Sequence, residues 1–155
     1  MNEIAIGVAD AAGHEARWAM SEYFAELDRR FIGGFEIGEA LEEAAAAFCP
    51  PDGAMLLARR GDEVVGCGGV QLVDPATAEI KRMWVSPTAR GVGLGRRLLT
   101  ALEAAAADLG ATRVILDTNG VLAEAIRMYT TAGYDRIERY NDNPYAQLWF
   151  AKALR

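Results

Sequence analysis

The run Val85-Ser86-Pro87-Thr88-Ala89-Arg90-Gly91-Val92-Gly93-Leu94-Gly95-Arg96 has the residue types needed to hold a pyrophosphate. It reads as a strand end, a turn, a glycine loop and a helix start. Gly91, Gly93 and Gly95 let the main chain approach an anion with no Cβ in the way, and the next helix points its unpaired N–H groups and positive dipole end at it. Arg90 and Arg96 add positive charge at the loop's edges. The spacing narrows the ligand: Gly-x-Gly-x-Gly lacks the third glycine position of the dinucleotide fingerprint, and no Gly-Lys-Ser/Thr follows for a nucleoside triphosphate.

Arg90-Gly91-Val92-Gly93-Leu94-Gly95 resembles the Arg/Gln-x-x-Gly-x-Gly/Ala acyl-CoA loop of the GNAT N-acetyltransferase superfamily. The flanking segments follow in the family's order: Ala78 to Val85 before the loop, then Leu116-Asp117-Thr118-Asn119 through Ala125-Ile126-Arg127-Met128-Tyr129 to Gly133-Tyr134. The resemblance covers roughly the C-terminal half; the N-terminal half matches only in its pattern of elements. It implies acetyl-CoA as co-substrate, held by the loop residues from Arg90 to Arg96, and no metal.

The resemblance also implies roles for single residues. Glu79 falls where many members keep a carboxylate that takes a proton from the substrate amine, usually through a water. Such a group is needed because an alkylammonium with a pKa near ~10 has no lone pair until it is deprotonated. As a plain residue, Glu79 is a strand-end carboxylate or a partner for Lys81 or Arg82. Tyr129 matches a tyrosine whose hydroxyl lies near the thioester sulfur and can protonate the departing thiolate; its spacing with Leu122 and Ile126 equally makes it a core aromatic. Asn119 matches an asparagine that hydrogen-bonds the CoA arm, and otherwise reads as a turn former before Gly120. The pantetheine arm is peptide-like, so a strand edge can pair with it, and Met83, Trp84 and Val85 are suited to that. A bulge in family structures splays the strands here and breaks the alternation between Glu79 and Val85. The Trp84 side chain itself reads as core.

These groups need a scaffold, and composition bounds it. At 155 residues the chain fits one domain, 1–155, able to bury a core without staples. A net charge of −6 disfavours a nucleic-acid partner. Cys49 and Cys67 are too few and isolated for a disulfide framework or zinc site, which suits a reducing cytoplasm. The expected protein is soluble and cytoplasmic, with no signal peptide and no membrane span. His14, the only histidine, sits in a polar helix start and reads as solvated; Cys67, among Gly66, Gly68 and Gly69, reads as a small buried residue.

Periodicity predicts a first strand over Ile4–Val8, a helix over Gly13–Leu27 and a second helix over Glu36–Phe48, with a glycine-broken loop of exposed aromatics, Arg29–Phe35, between the helices. A hairpin follows, Ala54–Ala58 and Val64–Leu72, then a strand Glu79–Val85. The helix after the glycine loop shows an apolar stripe, Leu98, Leu99, Leu102, Ala105, Ala106 and Leu109, with Gly110 as its cap. Arg113–Asp117 is a strand; Leu122, Ala125, Ile126 and Tyr129 share a face of the last helix; Tyr134–Arg139 and Gln147–Ala151 form a final hairpin, whose aromatics could support a homodimer. The expected fold is α/β: a mixed, largely antiparallel twisted sheet of about seven strands with helices on both faces, and the ligand loop at a strand's carboxyl end.

No nucleophile, base and orienter set for a covalent intermediate stands out. The function expected is direct acetyl transfer from acetyl-CoA to a primary amine of a small molecule or an exposed amino group. The alternative is a non-catalytic acyl-CoA-binding regulatory module, which Glu79 and Tyr129 argue against. Residues that would choose the acceptor lie in Arg29–Phe35, the second helix and Tyr140–Tyr145.

Overall fold

The computed structural model describes residues 3–155. Seven strands and four α-helices follow in the order β1 (Ile4–Ala9), α1 (His14–Arg30), α2 (Ala40–Ala47), β2 (Gly53–Arg60), β3 (Glu63–Asp74), β4 (Thr77–Val85), α3 (Leu94–Asp108), β5 (Arg113–Thr118), α4 (Ala123–Thr131), β6 (Asp135–Ile137) and β7 (Leu148–Ala153). The strands form one sheet ordered β1-β2-β3-β4-β5-β7-β6. All neighbours are antiparallel except β4 and β5, which run parallel through the α3 crossover.

Alternation along the strands feeds two cores. On one face Met20, Phe24 and Leu27 of α1 and Ala44 of α2 pack with Met55, Leu57 and Cys67. On the other, Leu98, Leu99 and Leu102 of α3 pack with Val70, Ala78, Ile80, Val114 and Leu116, joined by Tyr129 and Phe150. The glycines of β3 let both layers press close. A Cβ at Gly68 would lie 2.6 Å from Leu102 Cδ1, and one at Gly69 would lie 2.7 Å from the Phe48 ring. α3 ends as its sequence requires, with Gly110 at φ 101 just past the last turn.

Several boundaries differ from the periodicity. α2 starts at Ala40 rather than Glu36, because Gly38 takes φ 54 and the segment before it is held elsewhere. Phe35 N–H donates to Asp28 Oδ1 (2.8 Å) and Glu36 N–H to Tyr145 Oη (3.1 Å), so those donors are spent on tertiary contacts. The Arg29–Phe35 loop does not expose its aromatics: Phe31 is buried and Phe35 stacks on Phe24 at 5.2 Å, leaving Ile32 in solvent. β6 is only Asp135–Ile137, shorter than the Tyr134–Arg139 expected. Tyr134 is drawn into the core, and Arg139 turns its guanidinium over Trp149 at 5.0 Å. No helix among the described residues is long and apolar enough to cross a membrane.

The sheet's defining irregularity lies in β4. Lys81 pairs with Gly69 and Trp84 with Cys67, so two residues of β4, Arg82 and Met83, stand opposite Gly68 alone. This is a β-bulge, and Arg82 takes φ 61 to make it. Before the bulge Ala78 and Ile80 face α3; after it Met83 and Val85 do, while Trp84 joins the α1 core and meets Trp18 edge-on at 5.9 Å. β4 and β5 pair only at Thr77–Glu79 with Arg113–Ile115 and part company beyond.

Candidate active site

The parting of β4 and β5 opens a cleft of about 530 Å³ whose walls are the end of β4, the glycine loop, the first turn of α3, and the facing sides of α1 and α4. Gly91 and Gly93 have φ of 82 and 79, and a Cβ at either would meet no protein atom within 4 Å. Gly93 is the N-cap of α3, so the left-handed turn aims the helix's unpaired N–H groups into the open space. Leu94 is buried and anchors that turn, and a Cβ at Gly95 would come to 3.2 Å from Met128 Sδ, which sets how closely α3 and α4 approach. Met83, Trp84, Val85, Arg90, Gly91, Gly93, Leu94, Gly95 and Arg96 all line the cleft. Val92 is largely exposed at the crest of the loop and is not on the wall.

The arginines divide by partner. Arg90 folds back, its Nε donating to Val85 O (3.1 Å) and its Nη2 to Glu26 of α1. Arg30 bonds Glu26 (3.2 Å), Glu124 of α4 and Val121 O (3.0 Å). Two arginines and two glutamates thus form a charged belt from the loop across α1 to α4, along the cleft wall. The Arg30 guanidinium holds the Glu124 carboxyl below its ordinary value. Arg96 and Arg127 also line the cleft but make no ion pair among the described residues. Arg127 was not singled out from sequence; its one signal is its position two residues before Tyr129 on α4.

A second cavity, of about 100 Å³, adjoins the cleft. Tyr23, Leu27, Met83, Leu122, Ala125 and Tyr129 belong to the walls of both. Beyond them the second cavity is closed by a cluster of rings, Phe24, Phe31, Phe35 and Tyr145, with Phe35 and Tyr145 at 4.5 Å. Tyr129 stands between the two spaces. Its ring packs on Tyr134 (5.8 Å) and Phe150 (6.0 Å), and its hydroxyl makes no hydrogen bond among the described residues. Burial raises its pKa, so the phenol keeps its proton. The surrounding protein likewise pushes the Tyr23 hydroxyl up to about 12.

Glu79 lines neither cavity. It is buried on the α1 side of the sheet, where Tyr140 Oη–H donates to its Oε2 (2.7 Å) and Lys81 Nζ lies 3.6 Å away. Lys81 also reaches Asp117 Oδ2 at 4.0 Å, and Asp117 accepts from Asn141 Nδ2 (2.6 Å) and Asn143 Nδ2 (3.3 Å). Lys81 and Asp117 are on the wall of the smaller cavity, so Glu79 communicates with that space through them. Burial and the neighbouring Glu79 carboxylate raise the Tyr140 pKa well above the phenol's ordinary value. Asn119 is not on the cleft wall either. Its Nδ2 donates to Tyr145 O (2.8 Å) and its Oδ1 accepts from Val121 N–H (3.0 Å), so the amide braces two loops, and the residue lines the smaller cavity. Cys67 is buried with its thiol pushed up to about 12 and its Sγ donating to Arg82 O (3.2 Å), which makes it inert as a nucleophile.

Lys81, Arg82 and Asp117 were not read from sequence as site residues, whereas Tyr140 opens the Tyr140–Tyr145 segment expected to choose the acceptor. Part of their signal was there: Lys81 shares a strand face with Glu79, and Asp117 ends the apolar run Val114–Leu116 of the next strand.

A family model for the acetyltransferase (GNAT) family matches residues 14–134. The chain belongs to the GNAT acetyltransferase family. It is 41% identical over 120 residues to an IAA acetyltransferase of Azospirillum brasilense, covering 75% of this chain and 76% of that one. The GNAT fold is shared with a Staphylococcus aureus acetyltransferase of the same family at TM-score 0.84 and 16% identity, over 99% and 100% of the two chains. A GNAT acetyltransferase of Elizabethkingia anophelis with acetyl-CoA bound superposes at TM-score 0.72 and 16% identity, again over 99% and 100%. This acetyltransferase therefore has the mixed seven-stranded sheet expected from its sequence, with helices on both faces.

Proposed function

We propose that the chain is a single-domain enzyme of the reducing cytoplasm that transfers an acetyl group from acetyl-CoA directly to the primary amine of a small molecule. The observation that carries this reading is the meeting of two cavities at one phenol: a glycine-lined cleft with a helix N-terminus on one side of Tyr129, and a small ring-lined cavity on the other. The cleft suits the pyrophosphate at Gly91 and Gly93, with Arg96 and Arg127 at its wall, and the peptide-like arm along the unpaired edge of Met83 to Val85. The amine occupies the smaller cavity and attacks the thioester carbonyl as the C–S bond breaks. Its proton leaves toward the cluster of Asp117, Lys81 and Glu79, with Glu79 the acceptor, and the thiolate takes a proton from Tyr129. Holding both partners at the junction makes a two-body reaction a positioned one.

The test is thiol release from acetyl-CoA across a panel of small amines, with the acetylated product weighed by mass spectrometry. Amine-dependent release with a matching acetamide is expected. Tight acetyl-CoA binding without release for any amine would return the chain to the role of a binding module.

A further inference from the structure

The acceptor cavity holds one charge that the protein leaves uncompensated. Lys81 and Asp117 on its wall answer each other, with Glu79, Tyr140 and two asparagine amides completing their coordination. Arg82 is different. Its guanidinium lies over the Phe24 ring at 5.3 Å and lines the same cavity, yet among the described residues it forms no ion pair, and its Nε is buried with no acceptor. The residue is half-buried, with Nε enclosed and the rest of the guanidinium open to the cavity. The Phe24 ring supplies a cation–π contact, but no carboxylate among the described residues answers the charge.

The backbone reinforces this. The bulge holds Arg82 at φ 61, a conformation non-glycine residues seldom adopt. Without the extra residue, strand parity would turn position 82 toward α3 with Ala78 and Ile80; the bulge instead brings it to the α1 side, beside Phe24. The same irregularity that opens the cleft therefore delivers a guanidinium to the acceptor's side of it.

Resting on the acetyl-transfer reading above, we propose that the acceptor is a small amino carboxylate, an amine with a short apolar body whose carboxylate is taken by the Arg82 guanidinium. A guanidinium pairs with a carboxylate through two parallel N–H donors, and with Nε enclosed the two Nη groups are the ones left to offer them. The ring-lined wall takes the apolar body. Size limits it: a cavity of about 100 Å³ is smaller than the engineered one of ~150 Å³ that accepts benzene, so bodies of about valine size fit and polycyclic amines do not. The ammonium end meets Asp117 on the same wall, the group nearest the proton's exit.

The experiment is calorimetric titration of the CoA-saturated protein with valine, alanine and β-alanine, each against its carboxamide, which keeps the amine and the shape but removes the negative charge. At least one carboxylate should bind at least tenfold more tightly than its amide. Arg82→Met, which leaves the same φ requirement and offers an apolar side chain to Phe24, should abolish that preference while CoA binding is unchanged; Arg82→Lys should restore part of it. In turnover, Arg82→Met should raise KM for the carboxylate on the order of 10- to 100-fold with kcat little altered, and leave the amide's KM alone. Amides binding as well as acids, a preference that survives Arg82→Met, or no binding by any acid in the panel would overturn the proposal. Release of thiol with other amines in that case keeps the acetyl-transfer reading, whereas the absence of thiol release with every amine would overturn that reading while leaving the binding result to stand by itself.

Discussion

Tyr129→Phe separates proton donation from packing, because the structure assigns the ring and the hydroxyl to different surroundings. The ring is buried against Tyr134 and Phe150, contacts that phenylalanine keeps. The hydroxyl has no hydrogen-bond partner among the described residues and opens on the cavities, so deleting it breaks no bond within the protein. The expected stability change is therefore within about 1 kcal/mol of zero. For a chain of this length that is a shift in Tm of at most about 3 °C. If the hydroxyl protonates the departing thiolate, kcat falls by about 10²-fold, or about 3 kcal/mol in the barrier. The assay is thiol release at saturating amine, alongside thermal unfolding of both proteins. The raised pKa of Tyr129 adds a signature: the phenol stays protonated as pH climbs past its ordinary value near 10, so the ratio of wild-type to variant rate should be the same at pH 7 and pH 10. An acyl donor whose thiol has a lower pKa should narrow the gap. Unchanged kcat would refute the donor role, and a fall in kcat accompanied by a drop in Tm well beyond about 3 °C would refute the separation of ring from hydroxyl.

Gly93→Val should stay folded, since its Cβ meets only open space, at a cost on the order of 1–2 kcal/mol for the left-handed φ; acetyl-CoA affinity measured by calorimetry should fall at least tenfold, and unchanged affinity would remove the loop from the site. Glu79→Gln should lower kcat by roughly 10²-fold with acetyl-CoA affinity retained and should weaken the pH dependence of the rate; wild-type turnover would make Glu79 a structural partner of Tyr140 and Lys81. Glu26→Gln removes a carboxylate from the cleft wall and releases Arg90, so acetyl-CoA should bind several-fold more tightly at low salt, an advantage that fades as salt is raised. Alkylation of the native protein at pH 8 should label Cys49 alone, and both thiols in denaturant. Because burial lifts Cys67 from 9.0 to about 12, its contribution to stability is intact below pH 9 and is lost between pH 9 and 12, where the unfolded thiol ionises first.

The glycine loop, the strand before it and the helix after it were legible because their signals are local: a glycine that must take positive φ, and an apolar stripe with a period of 3.6. The position of the bulge was legible only through the family resemblance; no local pattern in Lys81-Arg82-Met83-Trp84 marks which residue is extra. The second helix was overextended because Glu36 and Ile37 have helical neighbours, while the contact that holds them off the helix comes from Tyr145, over a hundred residues away. The inward turn of Phe31 and Phe35 depends on the same long-range packing. Arg82 and Asp117 escaped for a related reason. Each is a charged residue with others in its strand, Glu79 and Lys81 beside Arg82 and Arg113 beside Asp117, and its meaning comes only from what the neighbouring strand and helix leave unanswered.

The short β4–β5 pairing has a consequence for how the protein reports on itself. Only three residue pairs join these strands, and past Glu79 the main-chain amides of β4 that point away from β3 face the smaller cavity and then the cleft instead of a neighbour. Those amides should exchange with solvent deuterium far faster than their counterparts on β3, although both belong to the centre of the same sheet. A ligand lying along that edge would slow them without any change in fold. The exchange rates between Ile80 and Val85 are thus an internal gauge of cleft occupancy, readable residue by residue and independent of whether any acetyl group is transferred.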